Sequence, residues 1–476
     1  MSKKRYATLC LAVIGMAPLT MGTTVAADNV HSAKSVIKIR PAIIADATEH
    51  APVLVASSKP LHVAQASSAS VSEQAAGVET DDSDLFGTRG GYFHPYVTFG
   101  VDYTDNLFNV AEDTQSSWIG RVAPGIWFSM PRSRTVPIRI TPHNTAPGGL
   151  QQQVQDVRGT ERYQAYALGG LNARAYSEDS DLNSTDARLE GLFRYNFRGG
   201  LSLQALDAYS YDQDQFGIDS ATQENLRRYQ SNIFMATADW DFTEKLRAKV
   251  DYSNFILDYD DEENAFLDRT DNVADIYGYY KYSPKTAFFL QYRYVDVGYD
   301  TDELRDNTQN YGYAGIEWDT TDKLALAFKA GYQQREYEDN EVAEGSDYDG
   351  FTFDLNSLYR FTEKTQLTLK AYSRSEESDS AEAADKLVLG IFAGYQQRFS
   401  EKWSGVVDLF YENSDYDQIV DIDRDDDRIY IKPALRYEFR EWFMTELAYS
   451  FDKRDSTDDI FDYDSNTVIL NLNFAM

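Results

Sequence analysis

Residues 362–372 read Thr-Glu-Lys-Thr-Gln-Leu-Thr-Leu-Lys-Ala-Tyr, a short polar turn followed by a run in which apolar and polar residues alternate. Successive side chains of a β-strand point to opposite faces, so this alternation predicts a strand with one apolar and one polar face. The same alternation recurs at 246–252 and 468–474. These stretches therefore indicate strands that separate two different environments.

Short polar turns of this kind return along the chain at a nearly constant spacing. Counted at their middle residues, successive turns lie 45, 40, 38, 41, 38 and 39 residues apart. The turns are centred on Gly199, Glu244, Pro284, Asp322, Glu363, Glu401 and Arg440. A longer acidic segment, such as 259–263 or 421–427, lies between successive turns. Each unit is therefore a strand, a long acidic loop, a second strand and a short turn.

This alternation of loop lengths distinguishes two all-β architectures. A β-propeller blade has a similar period but holds four short strands. Tight turns at one end and long loops at the other are typical of an up-and-down barrel of the outer-membrane type. Counting gives two strands up to Met130, two between Arg162 and Phe197, and fourteen from Leu201 to Phe474. We predict an all-β transmembrane antiparallel barrel of about 18 strands, in a range of roughly 16–18, with short periplasmic turns and long acidic extracellular loops.

The composition agrees with such a barrel and excludes several other classes of protein. The 476 residues carry a formal net charge of −32, and 14% of them are aromatic. This aromatic content excludes simple disorder, because disordered chains are poor in aromatic residues. The acidic balance argues against nucleic acid as a partner, which a basic patch would recognise. Beyond residue 27 no apolar run is long enough for a transmembrane helix.

The N-terminal residues have the pattern of a secretory signal peptide. The positive start Lys3-Lys4-Arg5 precedes a mostly apolar stretch and the small residues Val25-Ala26-Ala27. Cys10, the only cysteine, falls within this segment. Disulfides, thiol chemistry and cysteine metal sites are therefore not expected in the mature chain.

These patterns divide the chain into three parts. We predict a signal peptide over 1–27, cleaved after Ala27, a flexible periplasmic segment over 28–88, and the outer-membrane barrel over 89–476. Within the barrel, residues 131–161 are rich in proline, lack a strand pattern and form an irregular insertion. The insertion falls on the side of the short turns, where such length is unusual. A plug, a periplasmic excursion and two further strands are three open interpretations of it.

Basic residues recur on the polar rows that a barrel would turn toward its lumen. The nine predicted to line the channel are Arg194, Lys249, Arg293, Lys329, Arg360, Lys370, Arg398, Lys432 and Arg436. They could attract an anionic cargo, with interleaved tyrosines as stacking faces for sugars. Alternatively, they could pair with acidic residues on the same rows, such as Asp251 and Glu446, as the side chains of any polar lumen would.

Neither the loops nor the histidines carry a catalytic or metal-binding motif. No acidic run has the twelve-position calcium loop with its glycine and closing glutamate, and mutually repelling solvated loops explain these runs. His94 and His143 have no convincing Ser or Asp partner in the sequence, and no nucleophile elbow or glycine-rich phosphate loop occurs. We therefore predict no enzymatic activity, no cofactor and no metal site.

At Tyr103-Thr104-Asp105-Asn106-Leu107-Phe108, just after the first strand, the sequence resembles the bacterial family called putative β-barrel porin 2. Members often begin the barrel with a Tyr, Asp-Asn, aliphatic, aromatic pattern, followed by a strand like 121–126. The chain departs from the family in the insertion 131–161 and in its end, Phe474-Ala475-Met476, because many such barrels end on the aromatic residue. The resemblance implies an outer-membrane barrel, often associated with secretion of capsular polysaccharide or exopolysaccharide, and implies no catalytic residues.

Together these observations predict a channel in the outer membrane of a Gram-negative cell envelope, reached by means of the signal peptide. The leading hypothesis is a conduit for export of exopolysaccharide or capsular polysaccharide. A general diffusion or uptake porin and a structural surface barrel are the alternatives. The expected partners are outer-membrane lipid and lipopolysaccharide, the barrel assembly machinery and periplasmic polysaccharide-export proteins, but no nucleic acid.

Overall fold

The computed structural model describes residues 91–132, 142–150, 161–214, 227–321, 323–338, 347–381, 383–418 and 424–475. All of the described residues belong to one compact unit. The predicted signal peptide and the predicted periplasmic segment lie outside the described residues.

Within the described residues, eighteen strands form one antiparallel sheet that closes on itself. Each strand pairs with the next in sequence, and β1 pairs with β18. Closure leaves no sheet edge whose backbone groups would face lipid without a hydrogen-bond partner. The strands are β1 (Phe93–Thr104), β2 (Ser117–Met130), β3 (Tyr163–Tyr176), β4 (Ser184–Asn196), β5 (Leu201–Gln213), β6 (Arg228–Asp241), β7 (Leu246–Tyr259), β8 (Arg269–Ser283), β9 (Thr286–Tyr299), β10 (Asn307–Thr321), β11 (Leu324–Tyr337), β12 (Tyr348–Thr362), β13 (Thr365–Glu377), β14 (Ala383–Arg398), β15 (Trp403–Gln418), β16 (Arg424–Arg440), β17 (Phe443–Ser456) and β18 (Tyr463–Ala475).

The predicted outer-membrane barrel is confirmed, including the division into two, two and fourteen strands. The short turns join β4 to β5, β6 to β7 and each later even-numbered strand to the next strand, up to β16 and β17, while the long connections lie at the other end. No helix in the described part of the chain is both long and apolar enough to cross a membrane.

Aromatic side chains on the outer face form a girdle at each end of the apolar band. Near the short turns, Trp403, Phe439 and Phe443 lie close together, and the Phe439 and Phe443 rings stack with centroids 4.8 Å apart. Toward the long loops, an outward tyrosine of one strand donates its hydroxyl hydrogen to an amide or carboxylate of the next, as Tyr252 does to Asn272 at 2.9 Å. Such girdles sit at the two membrane interfaces, where an amphipathic ring contacts both lipid and water.

The loop after β1 closes the seam between the first and the last strand. The Asp105 carboxylate accepts hydrogen bonds from the backbone and the side-chain amide of Asn466, at 2.7 and 2.8 Å. Asn106 is buried and donates through Nδ2 to the carbonyls of Asp464 and Val110, at 2.9 and 2.8 Å. The Asp-Asn pair of the motif at 103–108 therefore ties β1 to the start of β18.

Candidate functional site: a constriction inside the barrel

A short part of the connection between β2 and β3 lies inside the barrel. β2 ends and β3 begins at the end where the short turns lie. Residues 142–150, called here the plug segment, nevertheless contact the inner faces of β7, β8 and β9. A backbone bridge between Pro142 and Leu150 closes the segment into a compact loop, and Ala146 at its centre is completely buried. This placement corresponds to the plug among the three interpretations of the insertion.

Two glycines explain how the plug segment fits against the barrel wall. Gly148 and Gly149 have φ angles of +73° and +67°, in the left-handed region that favours glycine. A Cβ atom on Gly148 would lie 2.3 Å from Cγ2 of Val273, and one on Gly149 would lie 2.3 Å from Cδ2 of Phe255. Both positions therefore require glycine for the backbone angle and for the close approach to the wall.

Polar contacts fix the plug segment to two carboxylates of the surrounding strands. Thr145 Oγ1 donates to Glu376 Oε2 at 2.7 Å, and the backbone N–H of Glu377 donates to the Thr145 carbonyl at 2.9 Å. The backbone N–H of Gly148 donates to Asp271 Oδ2 at 2.8 Å. Hydrogen bonds to charged groups are stronger than neutral ones, so these contacts anchor the segment.

The positions of Asp271 and Glu376 in their strands show how far the plug segment reaches along the lumen. Asp271 lies near the start of β8 and Glu376 near the end of β13, both next to long loops. Asn144 Nδ2 also donates to Asp214 Oδ1 at 3.2 Å, just beyond the end of β5. A connection that starts at the periplasmic end therefore carries its tip to the extracellular part of the lumen.

The tip of the β13–β14 hairpin folds into the lumen as well. We call the described residues among 375–386 the tip hairpin. Glu376 and Glu377 are adjacent, yet both are buried, with 2% and 0% of their surfaces exposed. Glu376 faces the plug segment, whereas Glu377 accepts hydrogen bonds from Gln309 Nε2 and Arg335 Nη2, at 2.9 and 2.6 Å. Both faces of the tip hairpin are therefore covered by protein, which happens only if the hairpin leaves the wall and turns inward.

Buried ion pairs hold the tip hairpin against β11. Arg335, fully buried, contacts Glu377 at 2.6 Å and Asp385 at 3.1 Å, and the Tyr337 hydroxyl donates to Asp385 at 2.5 Å. On the extracellular side, Arg305 Nη2 donates to the carbonyl of Ser380 at 3.2 Å. Removing one partner of such a buried network leaves an uncompensated charge, so the network fixes the position of the hairpin.

A cavity of about 100 Å³ lies between the plug segment, the tip hairpin and the wall. Solutes that cross the lumen beside the constriction would meet its mixed charges and its tyrosine rings. Its lining residues are Pro142, His143, Asn144 and Thr145 from the plug segment, Glu376, Asp379 and Lys386 from the tip hairpin, Asp214, Tyr229 and Tyr259 from β5 to β7, and Glu412, Ser414, Tyr416, Asp426, Arg428 and Arg454 from β15 to β17.

His143 is a neutral side chain in this cavity wall. Its Nδ1 lies 3.1 Å from Thr145 Oγ1. Burial lowers the pKa of His143 from 6.5 to about 4; the Glu376 carboxylate opposes the shift, whereas the cations Arg374 and Lys386 add to it. The plug segment is therefore docked with an uncharged imidazole at neutral pH.

The strand register places all nine basic residues predicted from the sequence on the lumen side of the sheet. They are spread from β4 to β16 and do not gather at the constriction. Three of them form ion pairs with acids of the same face: Arg436 with Glu446 at 2.6 Å, Arg293 with Asp275 at 3.0 Å, and Lys249 with Asp251 at 2.8 Å. For these three, the arrangement matches the interpretation of paired charges in a polar lumen.

The other six predicted residues have various surroundings. Arg194 Nε donates to Gln204 at 2.8 Å, and Lys329 lies 4.5 Å above the Tyr313 ring. The remaining four lie on the same face at mid-strand or near the short turns: Lys370, Lys432, Arg360 and Arg398.

Sequence reasoning missed the residues that build the constriction. Glu376, Glu377 and Arg335 meet only because a hairpin bends inward, which the alternating pattern does not encode. The one local signal was Pro147-Gly148-Gly149, a turn sequence inside the insertion. In the described part of the chain, no group of three or more His, Cys, Asp or Glu side chains could hold a metal ion.

Comparisons with solved structures find outer-membrane proteins of low sequence identity. OccAB4 of Acinetobacter baumannii is 11% identical with a TM-score of 0.40, over 82% of this chain and 99% of that one. OpdQ of Pseudomonas aeruginosa is 11% identical with a TM-score of 0.41, over 81% and 99%. OprD of Pseudomonas aeruginosa is 12% identical with a TM-score of 0.37, over 83% and 98%.

No curated protein matches the chain. The family described as putative beta-barrel porin 2 matches residues 156–476, which is more than half of the sequence. The matched range begins after the motif at 103–108 and includes β3 to β18.

Proposed function

The chain belongs to the family described as putative beta-barrel porin 2, and on that premise we propose that it is a channel for small hydrophilic solutes with a built-in constriction. The protein is an outer-membrane barrel of the porin type. A barrel of about this many strands encloses an aqueous lumen unless something fills it. The plug segment and the tip hairpin would narrow that lumen and restrict the size of what crosses it.

The contact between the plug segment and the tip hairpin is the observation that carries this proposal. Two elements that enter the lumen from opposite ends are joined by the Thr145–Glu376 and Glu377–Thr145 hydrogen bonds, at 2.7 and 2.9 Å. Because each element is also anchored to a different part of the wall, the pair forms a fixed partition in the lumen. Such a partition favours a channel with a size limit over a wide conduit.

Export of exopolysaccharide is the second candidate function. The connection that carries the plug segment is attached at the periplasmic end, where a periplasmic export protein could withdraw it. A polymer would need this withdrawal, because the plug segment and the tip hairpin otherwise stand in its path. A deletion strain that secretes its surface polysaccharide at the normal level would exclude this second function.

Solute passage through the refolded full-length barrel tests the first function. Planar-bilayer recordings should show discrete conductance steps, and liposomes containing the barrel should swell in monosaccharides but not in long oligosaccharides. A folded barrel that conducts no ions under any condition would contradict both channel functions and favour a structural surface protein. Equal swelling in long oligosaccharides would contradict the constriction.

A further inference from the structure

We propose that Glu412 gives the constriction its preference for cationic solutes, in particular for solutes that carry an amine or guanidinium group. This inference rests on the proposed channel function. It assigns a role in selecting solutes to one residue of the cavity beside the plug segment.

Four of the carboxylates that line the cavity already have a cationic partner. Their ion pairs are Glu376 with Arg374 at 2.7 Å, Asp426 with Arg424 at 2.7 Å, Asp379 with Lys386 at 3.5 Å, and Asp214 with Arg227 at 3.7 Å. A carboxylate compensated in this way presents little net charge to a passing solute, because the field of the adjacent cation cancels most of its own.

Glu412 differs from the other lining carboxylates. It lies on the lumen face of β15 and is partly exposed. Its carboxylate accepts hydrogen bonds from the hydroxyls of Tyr372 and Ser414, at 3.2 and 3.5 Å, and forms no ion pair with any described residue. Its charge is therefore available to a solute in the cavity.

The three cations that line the cavity contact other groups. Arg428 stands directly opposite Glu412 on β16, but its guanidinium binds Asp452 through two hydrogen bonds, at 2.9 and 2.5 Å. Lys386 contacts Asp379. Arg454 is buried and donates to the Phe461 carbonyl at 2.6 Å. Lys386 and Arg428 act on Glu412 only through space, so the cavity keeps one carboxylate with no ion-pair partner among the described residues.

The tyrosines of the cavity wall suit the same class of solute. Tyr229, Tyr259 and Tyr416 line the cavity together with Glu412. The face of an aromatic ring attracts an ammonium or guanidinium group, which adds to the attraction of the carboxylate. Arg227 and Arg424 already lie over the Tyr259 and Tyr416 rings, at 5.3 and 4.2 Å, so a cationic group in the cavity would meet the Glu412 carboxylate and chiefly the Tyr229 ring.

Ion selectivity of Glu412→Gln tests the proposal. In planar bilayers with a KCl gradient at about 0.1 M salt, where screening is moderate, the wild type should prefer K⁺ over Cl⁻. The variant should lower the K⁺/Cl⁻ permeability ratio about threefold to fourfold, because one unit charge at roughly 6 Å in a water-like dielectric, screened at this salt concentration, changes the local concentrations of K⁺ and Cl⁻ about twofold each in opposite directions. Glu412→Asp, which keeps the charge, should retain most of the preference.

Glu317→Gln is the matched control. Glu317 lies on the lumen face of β10 near the short turns, away from the cavity; its side chain is 44% exposed, and its carboxylate lies 3.9 Å from Arg247, which also pairs with Asp239. The control removes the same charge from the same lumen and should leave the ratio nearly unchanged. An unchanged ratio in Glu412→Gln, or an equal decrease in both variants, would overturn the assignment. Absence of any current in the folded wild type would instead contradict the channel function on which the inference rests.

Discussion

Replacing Gly148 and Gly149 with alanine should release the plug segment from the barrel wall. Each alanine would adopt a positive φ, +73° or +67°, which costs roughly 1–2 kcal/mol for a residue with a Cβ atom. Each Cβ would also lie 2.3 Å from a side chain of the wall, and such overpacking costs about 1–3 kcal/mol. The double variant therefore loses at least as much docking energy as the Thr145–Glu376 hydrogen bond supplies, about 1.5–3 kcal/mol for a bond to a charged group.

Single-channel conductance in planar bilayers measures this release. The double variant should conduct more than the wild type and with more noise, because the segment no longer holds one position in the lumen. Gly199→Ala is the matched control: its φ is +106°, but a Cβ atom there would meet nothing within 4 Å. The control shares the backbone strain, leaves the lumen untouched and should keep the wild-type conductance. If the double variant gives a folded barrel with wild-type conductance, the plug segment does not limit the pore.

Two further predictions concern ionisable side chains at the constriction. The pKa of His143 is 6.5 in a free segment and about 4 when docked, so docking is fully stable above pH 6.5 and weakens by about 3 kcal/mol as the pH falls toward 4. As the pH falls from 6.5 toward 4, conductance should therefore rise in the wild type but not in His143→Asn. Identical pH responses of the two proteins would contradict a role of His143 in docking. Arg335→Met leaves Glu377 buried without its cation, and should lower the free energy of unfolding in urea by about 3–5 kcal/mol. An unchanged urea midpoint would show that the ion pair does not stabilise the fold.

The strands could be predicted from the sequence because two environments act on them. Lipid selects apolar side chains on one face and the lumen selects polar ones on the other, so Leu369 and Lys370 already indicate their sides of the sheet. The short turns provide the second signal, a regular spacing of short polar sequences, because each turn must reverse the chain within a few residues. Fold class and strand number both follow from these two local signals.

The constriction could not be predicted in the same way. Glu376 and Glu377 break the alternation, because both faces of the tip hairpin are buried once it turns inward. Arg335 contacts Glu377, which lies 42 positions later in the sequence. Only the inward fold of the hairpin brings the two side chains together. The plug segment likewise depends on contacts with β7 and β8, and its own residues show no period that would place it in the lumen.

Cross-linking of the plug segment to the tip hairpin tests the central claim most directly. Because the sole cysteine lies at position 10, outside the barrel, Thr145→Cys and Glu376→Cys can be introduced as the only thiols of the barrel. The side chains of the native pair are 2.7 Å apart, so a short thiol-reactive cross-linker should join the two positions in the folded, membrane-inserted barrel. The linked protein should keep the wild-type conductance. Failure to form the link, although each cysteine alone reacts with the reagent, would contradict a constriction built from these two elements.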